Sequence, residues 1–340
     1  MAIHFAHDGA VPITTSHRTP AFRHVVHRLD EPEEFGVAVS GATLTAQFLE
    51  PQAQPTRIEQ FQSPDWVIDF HEAHVRARIL AGLPAGWASL GIMCGDRPSP
   101  WYGFEARRGT MVCTPPGEMI DGCTVPAFYC VSIGFSPRLW ERCRQITVPE
   151  RSVFGGCAAH SLPADVFTRL LQQLQQAGRR LQQATLAPLR ARQTAAEVTH
   201  LVGEIGVIAW ALTGEDARTN DSLRNRARLT RRADVWLREH LGQAVRVPDV
   251  CAALQVSRRE LEYAFRHTLD LSPQEYLRTL RLNAIHCVLR GRESSDRSLL
   301  EIALEHGVTH PGRFAAQYRA LFGHRPSETR KGKTPPPSRT

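Results

Sequence analysis

"VSRRELEYAFRHTLDLSPQEYLRTLRL", residues 256–282, sets two helix starts and an arginine-bearing face into one run. Ser257 stands before Glu260 and Ser272 before Glu275, each pair at i, i+3, with Pro273 opening the second segment. At that spacing a serine hydroxyl accepts from the glutamate's backbone N–H, and the glutamate carboxylate reaches back to the serine N–H. Proline at the first helical position loses nothing, because that N–H has no partner in a helix anyway. The spacing predicts one helix over 258–268 and a longer one over 273–290. Upstream, "VPDVCAAL" predicts a short helix over 248–254, joined to the next by Gln255, Val256 and Ser257 alone. A short helix, a tight turn and a second capped helix make a helix-turn-helix.

The faces of the second helix support this. Leu261 and Phe265 point toward the first helix, while Arg259, Glu262, Tyr263 and Arg266 gather on the far side, with Ser257 and Arg258 at its start. Long polar side chains on an outward face can reach base edges in a major groove, and arginine reads guanine best. A solvated charged face would look the same in one copy. The pattern, however, repeats over 298–322: Leu299, Ile302 and Ala303 on a first helix, Gly307 at the turn, and Phe314, Tyr318 and Leu321 as the core stripe of a second. Aligning Phe265 with Tyr318 sets Arg259 opposite Gly312, Tyr263 opposite Ala316 and Arg266 opposite Arg319. The second face is small. It is expected to read bases less and to lean on phosphate contacts from Arg313 or Arg319, with His310 and Gln317 beside them.

Charge is distributed to match. The 340-residue chain carries a net charge of +7, yet residues 221–340 hold 22 Lys/Arg against 13 Asp/Glu. The remainder is slightly acidic, so the C-terminal block alone suits a polyanion. None of the eight cysteines forms a C-x-x-C pair, which speaks against a zinc knuckle, and the longest apolar run, "LVGEIGVIAWAL", is too short to span a bilayer. The start lacks a secretory signal pattern. The expectation is a cytoplasmic protein with free thiols and without a membrane partner, cofactor or metal.

Ahead of the basic block the character is different. Residues 1–34 read as irregular, and 35–157 as mostly β. "HVRARILAG" alternates Val75, Ala77 and Ile79 against Arg76 and Arg78, a half-buried strand, and "TVPAFYCVSIGF" is another strand. Over 163–213 the apolar residues shift to helical spacing (Leu170, Leu174, Leu181, Leu201, Ile205), with Pro188 dividing two helices. That stripe suits packing on the β domain or a dimer seam. The fold class expected is α+β: a β-rich domain over 1–160, a sandwich or cupin-like barrel; a helical dimerisation and linker pair over 161–222; an all-α domain with two helix-turn-helix motifs over 223–328; and a basic tail over 329–340.

"VSRRELEYAFRHTLDLSPQEYLRTLRLNAIHCVL", "SLLEIALEHGV" and "RFAAQYRALFGHRPSETR" resemble the AraC/XylS transcription regulators over about 228–330. Within that family "VCAALQVSRRELEYAF", "RLNAIHCVL" and "PGRFAAQYRALF" look most like the ethanolamine-operon regulator subgroup. Gln255 stands where the family has glycine in the turn, and Val308 where it has phenylalanine, so Gln255 is expected to take a left-handed conformation. The resemblance implies a sensor for a small-molecule effector joined to a domain that binds double-stranded promoter DNA. A homodimer is expected from the apolar stripe over 163–213, and RNA polymerase contact and activation are further expectations. The effector does not carry over.

Two rival readings follow from the residues. The N-terminal domain could be a cupin-like enzyme, with His71 and His74 in "DFHEAH" as metal ligands, but H-x-x-H on a strand puts the two rings on opposite faces. Basicity alone would also allow a non-specific nucleic-acid binder; the mixed charges of the 259 face and the duplicated motif speak against it. Trp66, Trp87, Trp101 and Tyr102 could line an effector site, the last three being the candidates chosen, although aromatic residues at such positions are more often core.

Overall fold

The structure, a computed structural model, describes residues 21–38, 42–146, 157–213, 221–291, 297–308 and 311–331. The N-terminal half is built from two antiparallel sheets. The larger runs, edge to edge, β1 (Arg23–Leu29), β3 (Thr56–Gln62), β4 (Trp66–Ala73), β11 (Phe128–Phe135), β6 (Ala88–Met93), β9 (Thr110–Thr114) and β12 (Ala158–Ser161). The smaller runs β2 (Thr43–Phe48), β5 (Ala77–Gly82), β10 (Met119–Cys123), β7 (Ser99–Trp101) and β8 (Phe104–Ala106). Short α1 (Phe35–Ala38) and α2 (Pro137–Ile146) flank them, and a helical pair follows, α3 (Ala164–Ala184) and α4 (Pro188–Thr213). The C-terminal domain is α5 (Asp221–Glu239), α6 (Val247–Leu254), α7 (Arg258–Leu269), α8 (Pro273–Arg290), α9 (Leu299–Glu305), α10 (Pro311–Phe322) and α11 (Pro326–Arg330).

Strand alternation divides the work of each sheet. On β4, Trp66, Ile68 and Phe70 join the core beneath the helical pair, while Val67, Asp69, His71 and Ala73 face a cavity between the sheets. The outer core takes in Phe167, Leu170, Leu174, Leu181, Val198, Val202 and Ile205 from α3 and α4, with Leu201 packed at its margin. The apolar stripe that suited a dimer seam is therefore spent on the chain's own β domain. Strand β1 also corrects the irregular reading of 1–34: its Arg28 and Glu59-facing residues pair in register along β3, an order no local alternation announces.

The arginines of "HVRARILAG" depart further from expectation. Arg78 is 1% exposed and Arg76 is largely covered, because the C-terminal domain docks on that face of the smaller sheet. Arg78 reaches Asp121 on β10 at 3.3 Å and the Tyr276 hydroxyl on α8 at 3.5 Å. That hydroxyl lies 2.5 Å from Asp234 on α5 and 3.1 Å from Gln47 on β2. Arg238 closes the network, 3.0 Å from both Asp234 and Gln47. Burial holds the Tyr276 phenol well above its ordinary range, so it stays a donor.

Two further contacts complete the seam. Asn283 of α8 accepts from the Phe48 N–H at 3.0 Å and donates to its carbonyl at 2.9 Å, covering the edge of β2. Glu31 meets His286 at 2.9 Å and Arg290 at 2.8 Å. Glu31, Glu33 and His286 are the grouping of metal-ligand type among the described residues, and the Arg290 guanidinium already supplies a cation there. One apolar cluster spans both domains, Leu29, Phe35, Phe48 and Val75 against Leu282, Ile285, Phe314 and Tyr318.

Leu174 is fully buried beneath the larger sheet. Leu174→Ala should cost about 2–5 kcal/mol in chemical denaturation, with the oligomeric state in sedimentation unchanged. A loss of association at undiminished stability would return the stripe to the role of a seam between copies.

Candidate nucleic-acid interface and barrel cavity

The capping residues act as their spacing requires. The Glu260 N–H donates to the Ser257 hydroxyl at 3.1 Å, and the Ser257 N–H donates to the Glu260 carboxylate at 2.8 Å. Ser272 and Glu275 do the same at 3.2 and 2.7 Å. A third box, Ser298 with Glu301 at 3.0 and 2.7 Å, opens α9; the same spacing in the sequence could have revealed it. Backbone hydrogen bonds hold the Glu260, Glu275 and Glu301 carboxyls below the usual range. Between α6 and α7, Gln255 adopts φ 55°, left-handed, where glycine would be at ease. In the second unit Gly307 takes the turn at φ 70°, and a Cβ there would lie 2.6 Å from the Gln243 carbonyl.

Helix α7 buries Leu261, Ala264 and Phe265 and presents Arg258, Arg259, Tyr263 and Arg266 to solvent, with Glu262 half-buried. Tyr263 is 56% exposed, and the Arg226 guanidinium sits 5.6 Å from its ring. Arg266 leans on Glu275 at 3.3 Å, so part of its charge is directed at the start of α8. On α10, Phe314, Tyr318 and Leu321 are buried, while Gly312, Arg313, Ala316 and Arg319 are exposed. Nothing stands within 4 Å of a Cβ built on Gly312, which leaves an open surface. His310 lies outside the described residues.

The structure brings the two units together in a way spacing does not reveal. A groove of about 910 Å³ runs between them, lined by Arg258 from the first and by Arg313 and Gln317 from the second. Arg246, Arg278 and Arg281 line it too. Five arginines thus converge on one groove. Arg246 precedes α6, and the other two lie on α8, the helix that joins the units. They were missed because α8 reads as a plain connecting helix until its exposed side is known. Arg281 is braced by the Gln243 and Val245 carbonyls at 3.3 and 3.1 Å. Burial pushes its guanidinium below the ordinary value.

The second candidate site is the cavity of about 380 Å³ between the sheets. Trp87, Trp101 and Tyr102 all line it, as do Phe35, Ile79 and Phe128. Trp101 stacks on Phe128 at 5.8 Å and lies flat over Gly122, where a Cβ would meet its ring at 2.3 Å. Tyr102 bonds the Thr114 hydroxyl. The larger sheet contributes a polar row. Gln60 donates to Asp69 at 2.9 Å, Ser132 donates to Asp69 at 3.2 Å, and His71 stands 3.1 Å from the Ser132 hydroxyl. Burial pushes the Asp69 carboxyl up and the His71 imidazole down. His71 is thus a member of this hydrogen-bonded row, and neither it nor His74 belongs to a ligand-type cluster among the described residues.

These features define a class: a β domain enclosing a small-molecule-sized cavity, docked on a domain with two helix-turn-helix units. The second domain can be placed more narrowly. Residues 250–332 match the family model "Helix-turn-helix domain". The chain is 33% identical over 94 residues to the XylDLEGF operon transcriptional activator of Pseudomonas putida, covering 28% of this chain and 29% of that one. It is 37% identical over 82 residues to the HTH-type transcriptional regulator CdhR of Pseudomonas aeruginosa, 24% of each chain. A solved transcriptional regulator with an AraC-type DNA-binding domain from Chromobacterium violaceum is 27% identical, with a TM-score of 0.29, covering 32% of this chain and 95% of that one. The C-terminal domain is a helix-turn-helix domain of the AraC/XylS kind, and the matched stretch spans under a third of that activator's length.

Ser257→Ala removes the α7 cap and should destabilise the protein by about 1 kcal/mol. The readout is denaturant unfolding, and Ser257→Asp, which also caps, should restore it.

Proposed function

We propose that this protein is a sequence-specific transcription activator of the AraC/XylS type. Its N-terminal domain takes a small-molecule effector, and its C-terminal domain binds double-stranded promoter DNA. The observation that carries the reading is the shared groove: both recognition helices, α7 and α10, open onto the five-arginine cleft that runs between them. A duplex passing α7 and α10 in successive major grooves would bring its intervening phosphates to that cleft, where guanidinium groups pair with phosphate oxygens. Helix α8, at 18 residues, is about 27 Å long and spaces the units for grooves roughly 34 Å apart.

In this reading Ser257, Arg258, Arg259, Glu262 and Tyr263 face bases or backbone from the first unit, with Arg266 partly held by Glu275. The second unit offers Gly312, Arg313, Ala316, Gln317 and Arg319, a face better suited to phosphate than to bases. Arg246 and Arg278 join them as phosphate contacts. Trp87, Trp101 and Tyr102 are assigned to the effector cavity. Contact with RNA polymerase, in keeping with the activator relatives, and a homodimer belong to the same reading. The finer likeness to ethanolamine-operon regulators rests on the sequence stretches alone.

Strand β5 offers the route from effector to DNA. Ile79 and Ala81 face the cavity, while Arg78, the neighbour of Ile79 on the same strand, is held by Tyr276 and Asp121 at the seam. A ligand that moves β5 must move Arg78, and Arg78 is fastened to α8. This reading favours a sensor over an enzyme: Gln60, Asp69, Ser132 and His71 are hydrogen-bonded into one row, in which the Ser132 hydroxyl donates to Asp69 and not to His71.

The test is binding of the full chain to its promoter at one fixed salt concentration. Arg259→Ala should lose discrimination at one base position, about 1–3 kcal/mol, whereas Arg313→Ala should weaken binding evenly on cognate and scrambled DNA. Equal losses on both DNAs for Arg259→Ala would overturn the base-reading role. Inserting roughly 5 bp between the two protected elements turns one of them away from the protein. Unchanged affinity for that site would overturn the two-groove arrangement.

A further inference from the structure

The wall of the barrel cavity carries one acidic side chain, Asp69, and neither lysine nor arginine among its lining residues. Asp69 sits in the middle of the larger sheet: its register partners are Gln60 on β3 and Ser132 on β11, and Ser132 in turn pairs with Gly91 on β6. The row therefore runs straight across the inner face of the cavity. Gly91 has no side chain, and a Cβ there would touch only Met93 and Cys130 at ordinary contact distance, so space is left beside Ser132.

The hydrogen bonds leave this carboxylate short of positive charge. Gln60 and Ser132 supply neutral donors. His71 is the ionisable group beside it, 3.8 Å from Asp69, and burial pulls its imidazole below the ordinary range. A lone carboxylate in an apolar enclosure is costly unless a cation pairs with it. The rest of the wall suits a cation as well: Trp87, Trp101, Tyr102 and Phe128 offer ring faces, which attract positive charge. A carboxylate or phosphate ligand would meet Asp69 with no compensating cation.

We propose that the cavity binds a small organic amine as its ammonium ion, the nitrogen on Asp69 and Ser132 and the apolar body against Trp101, Phe128 and Ile120. This rests on the reading of the cavity as the effector site. Its volume, about 380 Å³, is near the lower end for ligand pockets, so the ligand is compact.

The test uses the full chain and three probes that share one body: 2-phenylethylamine, 2-phenylethanol and 3-phenylpropanoate, followed by calorimetry, with hexyl and cyclohexyl versions of each. The amine should bind at least tenfold more tightly than the alcohol, and the carboxylate should be weakest. Asp69→Asn should remove the preference for the amine while leaving alcohol binding in place. Val67→Lys puts a cation on the same face of β4 and should reverse the order toward the carboxylate, which keeps the test decisive if Asp69→Asn does not fold. Carboxylate binding equal to or tighter than amine binding would overturn the amine class and leave the effector site standing. Failure of all nine compounds to bind up to millimolar concentration would overturn the effector site itself, and the amine class with it.

Discussion

The arrangement of this protein depends on the burial of Arg78. A guanidinium carries five donors and cannot shed its charge, so a site that removes it from water has to provide acceptors and counter-charge. Asp121 does so from within the barrel, while Tyr276, Asp234 and Gln47 tie the same cluster to the helical domain. Removing any one member would leave its neighbours buried without partners. That penalty falls on any geometry in which the two domains separate. The network thus makes their relative placement specific, while the apolar cluster of Phe48, Leu282, Ile285 and Tyr318 supplies area.

The same strand serves two environments. Because side chains alternate on β5, Ile79 and Ala81 belong to the cavity and Arg78 to the seam. Cavity and DNA-binding domain are therefore one backbone apart. The helix reached from this strand is α8, which carries Tyr276, Asn283 and His286 on the seam and Arg278 and Arg281 on the groove between the two units.

Much of the C-terminal domain was legible in the residues. The capping boxes set the starts of α7 and α8, Gln255 takes the left-handed turn, and the duplicated stripe of Phe265 and Tyr318 marks both units. These features are local: each depends on residues within a few positions of one another, where hydrogen-bond reach and helical period leave little freedom. The cavity was legible only in part. Trp87, Trp101 and Tyr102 were visible as aromatic residues, but Asp69, Ser132 and Gln60 come from three strands, and only register brings them into a row.

By itself the sequence determined the helix-turn-helix units, their order, the basic character of the block that holds them and the β-then-α plan of the chain. Tertiary structure alone decided what each exposed-looking face meets. The stripe of Leu170, Leu174 and Leu181 went to the larger sheet, although a partner copy would have satisfied the same pattern. Arg76 and Arg78 went to a seam, although water would have satisfied theirs. The physical reason is that periodicity reports which side of an element is apolar or charged, and burial free energy is indifferent to which surface covers it. The choice is made by shape and by long-range hydrogen bonds such as Asn283 to the Phe48 backbone, between residues far apart in the chain.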